Sequence, residues 1–244
     1  MSEDRLKEIL ERLSVKPFSV VGHRGAAGEK PENTVGTFKY AIELGVDVVE
    51  CDVRITKDRK LVVIHDDNLK RVAGIDVKVS DLTYSELKKV CIDGERIPLL
   101  EEVLNVVEGN CGLFIEIKDP ETTEQILKSV NSRVSKTDWI GFISFYEEAL
   151  VTVKKWNSNL TTGLIYSKPP GKILDAKRIG CEFVLPKWYL STEKAVNFAH
   201  RLGLRVISWI IDDEKTLDKA LKSKSDALAT DFPSWLLNIR KELL

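Results

Sequence analysis

Residues 18–53 read FSVVGHRGAAGEKPENTVGTFKYAIELGVDVVECDV. Residues 18–22 are a short apolar, β-branched run and predict a strand. Residues 34–44 carry apolar side chains at helical spacing and predict a helix. Residues 47–53 predict a second strand, so the stretch is a strand–helix–strand unit. The same alternation continues outward. Strands are predicted at 113–117, 140–145, 162–166, 181–185, 205–211 and 227–229. Helices are predicted at 99–107, from Asp119-Pro120 onward, and at 147–156, 171–179, 193–202, 213–222 and 233–243. Residues 61–65 form a further apolar run, tied to the second strand by a tight turn at Lys57-Asp58-Arg59. That run predicts a β-ribbon, because no helix separates the two strands.

With the ribbon set aside, eight strands are each followed by a helix in 244 residues. That is the arithmetic of a TIM (β/α)8 barrel, an α/β fold. A doubly wound sheet would place a glycine fingerprint after its first strand, and Gly22-His23-Arg24-Gly25 is not one. A helix over 3–13 precedes the first strand and is expected to plug the barrel floor. Residues 1–244 read as one domain without linker or low-complexity segment.

Composition narrows the function. Hydrophobic residues make up 43% of the chain and the net charge is −1, which excludes disorder. With 37 basic residues against 38 acidic ones, the chain does not read as a nucleic-acid binder. No run reaches the ~18 apolar residues of a membrane span, and Met1–Arg5 is charged rather than signal-like. Cys51, Cys91, Cys111 and Cys181 form no metal-type cluster, and are expected reduced and buried in a cytoplasmic protein.

A TIM barrel works at the C-terminal ends of its strands. Those ends deliver His23 and Arg24, Glu50 and Asp52, Glu116 and Lys118, Ser144, Lys187, Trp209 and Asp231, while the ribbon delivers His65 and Asp66. Glu50 and Asp52 are two apart on a strand, so both point to one face and Cys51 to the other. With Glu116 they offer an oxygen-only site for a hard cation, Mg²⁺ or Ca²⁺. A buried salt-bridge network with Arg24 and Lys118 would also account for these charges. His23 and His65 suit a general acid and a general base; a hydrogen-bonded structural role is the alternative for each. The third histidine, His200, sits in a helical pattern and is expected to face solvent. Arg24 and Lys118 suit a phosphoryl group. Ser144-Phe145-Tyr146-Glu147 matches a capping box, and Asp231 could cap the last helix. Trp188, Tyr189 and Trp209 are candidate pocket walls.

An ordered set of motifs spans nearly the whole chain. They are His23-Arg24-Gly25, Pro31-Glu32-Asn33-Thr34, Glu50-Cys51-Asp52-Val53, His65-Asp66 with Leu69 and Arg71, Ile97-Pro98, Glu116-Ile117-Lys118, Ser144-Phe145, Trp209 and Thr230-Asp231-Phe232-Pro233. This set resembles the glycerophosphodiester phosphodiesterase family. The resemblance implies a barrel of the phospholipase C-like phosphodiesterase type that hydrolyses glycerophosphodiesters to glycerol phosphate and an alcohol. It implies one divalent cation, with Mn²⁺ admissible beside Mg²⁺ and Ca²⁺, on Glu50, Asp52 and Glu116. His23 and His65 would be the acid–base pair, leaning towards His65 as base and His23 as acid in the first step. Arg24 and Lys118 would contact the phosphate, and Glu32, Lys187 and Trp209 would border the substrate pocket. A hydroxyl of the substrate's own glycerol would attack phosphorus, giving a cyclic phosphate that water opens. Leu99 stands where a Thr is common, and Ile210-Ile211-Asp212 replaces Thr-Val-Asn. The cover between His65 and Glu116 is short, so small soluble diesters such as glycerophosphocholine are the expected substrates. A lysophospholipase D-type enzyme and a non-catalytic barrel are the alternatives.

Overall fold

The computed structural model describes residues 7–244. Eight parallel strands close into a barrel: β1 (Ser19–Gly22), β2 (Val48–Ile55), β3 (Gly112–Ile117), β4 (Ile140–Ser144), β5 (Thr161–Tyr166), β6 (Phe183–Pro186), β7 (Arg205–Ser208) and β8 (Ala227–Thr230). Closure is made at β1, which pairs with β8 through Ser19↔Ala227 to Gly22↔Thr230 and with β2 through Val21↔Val48. Helices lie between successive strands, as the alternation predicts. The ribbon strand Leu61–Val63 runs antiparallel to the far end of β2, with Val53 opposite Val63.

The barrel is filled, not hollow. Val21, Phe114, Ile143, Ile165, Phe183 and Ile207 pack in one buried interior cluster. The helix Glu8–Arg12 closes the floor by adding Ile9 and Leu10 to it, with Leu13 just beyond. The residues before Lys7 in the expected helix lie outside the described chain. A larger cluster fills the space between the barrel and the surrounding helices. Glycine makes room for the interior aromatics. A Cβ at Gly163 would lie 2.0 Å from the Phe183 ring, and one at Gly141 would lie 2.9 Å from Phe114.

Several element boundaries differ from the sequence reading. Strand β6 begins at Phe183 rather than Cys181, because Cys181 N–H still bonds Ala176 O while Gly180 turns left-handed at the helix end. Strand β7 stops at Ser208, although Trp209 N–H still bonds Pro186 O of β6 and Ile211 N–H bonds Ala229 O of β8, so the segment after it stays fastened to both neighbouring strands. Pro120–Thr122 is a 3₁₀ turn and the α-helix runs Thr123–Arg133. Asp119 does not cap it; its carboxylate faces Arg54 at 3.2 Å.

Residues 66–98 form a small cap beside the barrel mouth. Short helices Lys70–Ala73 and Tyr84–Leu87 and a hairpin of Cys91–Ile92 with Glu95–Arg96 enclose their own core of Leu69, Val79, Leu87, Ile92 and Ile97, packed on Val62 and Ile64. Cys91 is exposed on that hairpin, which corrects the expectation that all four cysteines are buried; Cys51, Cys111 and Cys181 are.

Gly163→Ala should lower stability by about 1–3 kcal/mol through the enforced shift of the Phe183 ring. Urea unfolding of the variant alone and with Phe183→Leu checks this. The second change should recover part of the loss by trimming the ring that the added methyl group meets.

Candidate active site

Strand β1 ends in a turn that requires glycine at positions 22 and 25. A Cβ at Gly22 would lie 2.1 Å from Gly25 O, and Gly25 itself has a φ of +86°. That turn presents His23 and Arg24. Register places Asp52 of β2 directly beside Glu116 of β3, with Glu50 one pleat earlier on the same inward face. The ribbon folds back so that Ile64 N–H bonds Asp52 O at 2.9 Å, which carries His65 to the same mouth. His23, Arg24, Glu50, His65, Glu116 and Lys118 line one side of a cavity of about 150 Å³. The other side is apolar: Ile143, Phe145, Ile165, Leu185, Trp209 and Ile210.

Oxygens of Glu50, Asp52 and Glu116 all lie within 4.8 Å of one another, and all three residues are buried. The salt-bridge network offered as an alternative is present. Lys118 Nζ lies 2.8 Å from Asp52 Oδ1 and 2.6 Å from Glu116 Oε1, and Arg24 Nε lies 3.4 Å from Asp52 Oδ2. It does not use up the carboxylates. Glu50 Oε2 accepts from Arg24 N–H at 2.9 Å, but Glu50 Oε1 is buried with no hydrogen-bond partner among the described residues. An orphaned carboxylate oxygen among oxygen-only donors fits a hard divalent cation. Burial, with the charge of Asp52 adding to it, pushes Glu50 up to about 8. Burial would also raise Asp52, but Lys118 and Arg24 outweigh it and hold Asp52 well below the usual carboxylate range.

Asn33 completes this corner. Its φ is +57°, its Nδ2 donates to Asp52 Oδ2 at 2.8 Å, and its Oδ1 accepts from Asp52 N–H at 3.3 Å. The residue stands in the quoted Pro31–Thr34 motif, but no charge or spacing marks it as a support for Asp52.

Both cavity histidines are oriented by carboxylates. His23 Nδ1 is 2.6 Å from Asp231 Oδ1, and His65 Nδ1 is 2.6 Å from Asp66 Oδ1. Each pairing fixes Nδ1 as the site of the N–H and leaves Nε2 for other chemistry. Asp231 therefore does not cap the last helix. Its side chain is on His23, Glu29 accepts from Ser234 N–H and Oγ–H at that helix start, and Pro233 needs no partner for its nitrogen. Burial opposes protonation of His23, but the Asp231 hydrogen bond and Glu50 outweigh it and raise its pKa. Burial lowers that of His65, with Lys118 and Arg24 acting against Asp52.

Other expected residues are placed differently. Ser144 is not in a capping box: it donates to Ile117 O at 2.8 Å and locks β4 to β3. Trp188 packs in the layer between barrel and helices under Lys219, 4.3 Å from its ring. Tyr189 is exposed and donates to Ser167 O. Neither lines the cavity, whereas Trp209 does. Phe145 carries the wall that sequence reading missed, edge-on to Trp209 at 5.8 Å. Lys187 lies 5.9 Å from the Trp209 ring, outside the cavity lining. Glu32 reaches the site through Arg24, at 2.9 Å. His200 is on the surface, 2.8 Å from Asp226.

Residues 23–234 match the Glycerophosphoryl diester phosphodiesterase family. The chain belongs to that family. It is 32% identical to a glycerophosphodiester phosphodiesterase of Caldanaerobacter subterraneus subsp. tengcongensis, over 90% of this chain and 96% of the relative. It is 39% identical to a lysophospholipase D of Homo sapiens, over 88% of this chain and 84% of the relative. A phosphodiesterase of Oleispira antarctica, solved with the product sn-glycerol-3-phosphate, superposes with a TM-score of 0.84 at 26% identity, over 90% of this chain and 95% of that one.

Because Glu50 is held up to about 8, it carries its proton at pH 7, and a cation must displace that proton to bind. Titration calorimetry with Mg²⁺, Mn²⁺ or Ca²⁺ in buffers of different ionisation enthalpy should show ~1 proton released per cation at pH 7. The release should fade above pH 8, where the carboxylate is already formed, and vanish in Glu50→Gln.

Proposed function

We propose that the protein hydrolyses glycerophosphodiesters to glycerol phosphate and an alcohol, using His23 and His65 as an acid–base pair. The observation that carries this reading is the pair of cavity histidines, each held at Nδ1 by its own carboxylate beside the buried triple-carboxylate cluster. Family membership and the product-bound Oleispira phosphodiesterase support it.

His65 sits in the more exposed of the two settings, with its pKa lowered, and Asp66 keeps its N–H at Nδ1. Its Nε2 is the free base that takes the proton from a glycerol hydroxyl as that oxygen attacks phosphorus. His23, whose pKa is raised, donates a proton from Nε2 to the departing alcohol. The roles reverse when water opens the cyclic phosphate. Arg24 and Lys118 line the cavity as cations for the phosphoryl oxygens. Glu50, Asp52 and Glu116 would hold a divalent cation, Mg²⁺, Ca²⁺ or Mn²⁺, which when bound would supply positive charge against the negative charge developing at phosphorus. Free, unpaired cysteines support a reducing, cytoplasmic setting. Among the described residues no helix is long and apolar enough to cross a membrane.

A second reading, lysophospholipase D-type hydrolysis, is favoured by one feature. The wall of Ile143, Phe145, Ile165, Leu185, Trp209 and Ile210 offers no hydroxyl or amide side chain to a polar substrate arm. An acyl-bearing arm suits such a wall better than a bare glycerol does.

His23→Ala and His65→Ala should each lower kcat on the order of 10²–10⁴-fold with the fold retained, while His200→Ala changes little. Chelation should abolish turnover and cation add-back should restore it. kcat/KM across diesters with one glycerol and varied alcohols, set beside acylated lysolipids, separates the two substrate readings. Equal turnover of diesters lacking the neighbouring hydroxyl would rule out the cyclic phosphate.

A further inference from the structure

Arg71 lies outside the barrel, on the short cap helix Lys70–Ala73. Its guanidinium nevertheless reaches two carboxylates at the site. Nε donates to Asp66 Oδ2 at 2.7 Å, Nη1 to Glu32 Oε2 at 2.8 Å and Nη2 to Glu32 Oε1 at 2.7 Å. Each carboxylate has a second engagement. Asp66 Oδ1 holds His65 Nδ1 at 2.6 Å, and Glu32 Oε1 accepts from Arg24 Nη1 at 2.9 Å. One planar fork thus braces the partner of the base and the partner of a phosphate-facing cation.

We infer that Arg71 is a positioning residue, through which the cap fixes both His65, by way of Asp66, and Arg24, by way of Glu32. The inference rests on the roles given above to His65 and Arg24. The short helix is itself anchored without Arg71. Leu69 is fully buried in the cap core, Leu69 N–H bonds Val77 O at 3.0 Å, and Val79 N–H bonds Asp67 O at 2.8 Å. The Arg71 side chain is 48% exposed, so its removal empties no core. A lysine there would keep the charge but not the three-pronged span, because an ammonium is a point donor and not a fork.

The two arms predict distinguishable losses. Asp66→Asn should act mainly on kcat, and Glu32→Gln mainly on KM and on the affinity for sn-glycerol-3-phosphate. Arg71→Ala should impair both, by roughly 10–100-fold, as outer partners of active-site groups do. Arg71→Lys should recover only a small part, and millimolar guanidinium should partly rescue Arg71→Ala. Lys70→Ala, next to Arg71 and paired among the described residues only with exposed Asp76 at 3.2 Å, should behave as wild type.

One readout does not depend on turnover. In proton NMR of protein with ¹⁵N-labelled histidine, the His65 Nδ1–H held by Asp66 should be protected from exchange, and it is assigned by its absence from His65→Asn. Arg71→Ala should lose that protected signal while the global unfolding midpoint moves little. An unchanged His65 signal, or activity within twofold of wild type, would overturn the positioning role. If wild-type protein turned over no diester, the functional reading would fail, and the NMR comparison would still decide whether Arg71 holds Asp66 against His65.

Discussion

Three carboxylates are buried within a few ångströms of one another at the mouth of the barrel, and much of the surrounding architecture answers that repulsion. Isolated buried anions cost many kcal/mol, so they persist only with paired charge or bound cation. Lys118 and Arg24 supply part of the compensation, and Asn33 Nδ2 donates one further hydrogen bond to the Asp52 carboxylate. Glu50 is left incompletely satisfied, with one oxygen that no described group meets. The protein thereby keeps three carboxyl groups together with a Glu50 proton that an incoming cation can displace, which is what a cation site requires.

A second layer of carboxylates performs the opposite task. Asp66 and Asp231 each hold one histidine, and Glu32 is shared between Arg24 and Arg71. These acids sit in loops and in the cap, not on the inward face of β2 and β3. Their positions let them orient groups that face the cavity without joining the cluster itself. The cap therefore belongs to the site chemically, although its hydrophobic core is separate from that of the barrel. The opposing apolar wall lowers the local polarity, and charges inside act on substrate with less screening by water.

The barrel, the β2 ribbon and the chemistry-bearing strand ends were legible in the sequence. Periodicity marks the strands and helices, because backbone geometry sends alternate strand residues to opposite faces. The same rule put Glu50 and Asp52 on one face and Cys51 on the other, and the structure agrees. His23, His65, Arg24, Glu116 and Lys118 stood out as polar groups at strand or ribbon ends, where a TIM barrel gathers its chemistry.

What tertiary structure alone decided is which of the abundant polar residues find each other. Asp231 looked like a helix cap and Ser144 like part of a capping box, since local spacing permits both. Yet His23, 208 positions from Asp231 in the chain, claims that carboxylate, and Ile117 O takes the Ser144 hydroxyl. Trp188 and Tyr189 directly follow a strand-end lysine, but the 3₁₀ turn at Trp188–Leu190 directs them away from the cavity, and Phe145 takes the wall instead. Arg71 carries no local sign of its span to Glu32, 39 residues away. Short-range patterns encode backbone conformation and facing, because those depend on a residue's neighbours in sequence. Partner choice among charged side chains depends on barrel closure and strand register, which bring distant segments together only in the folded chain.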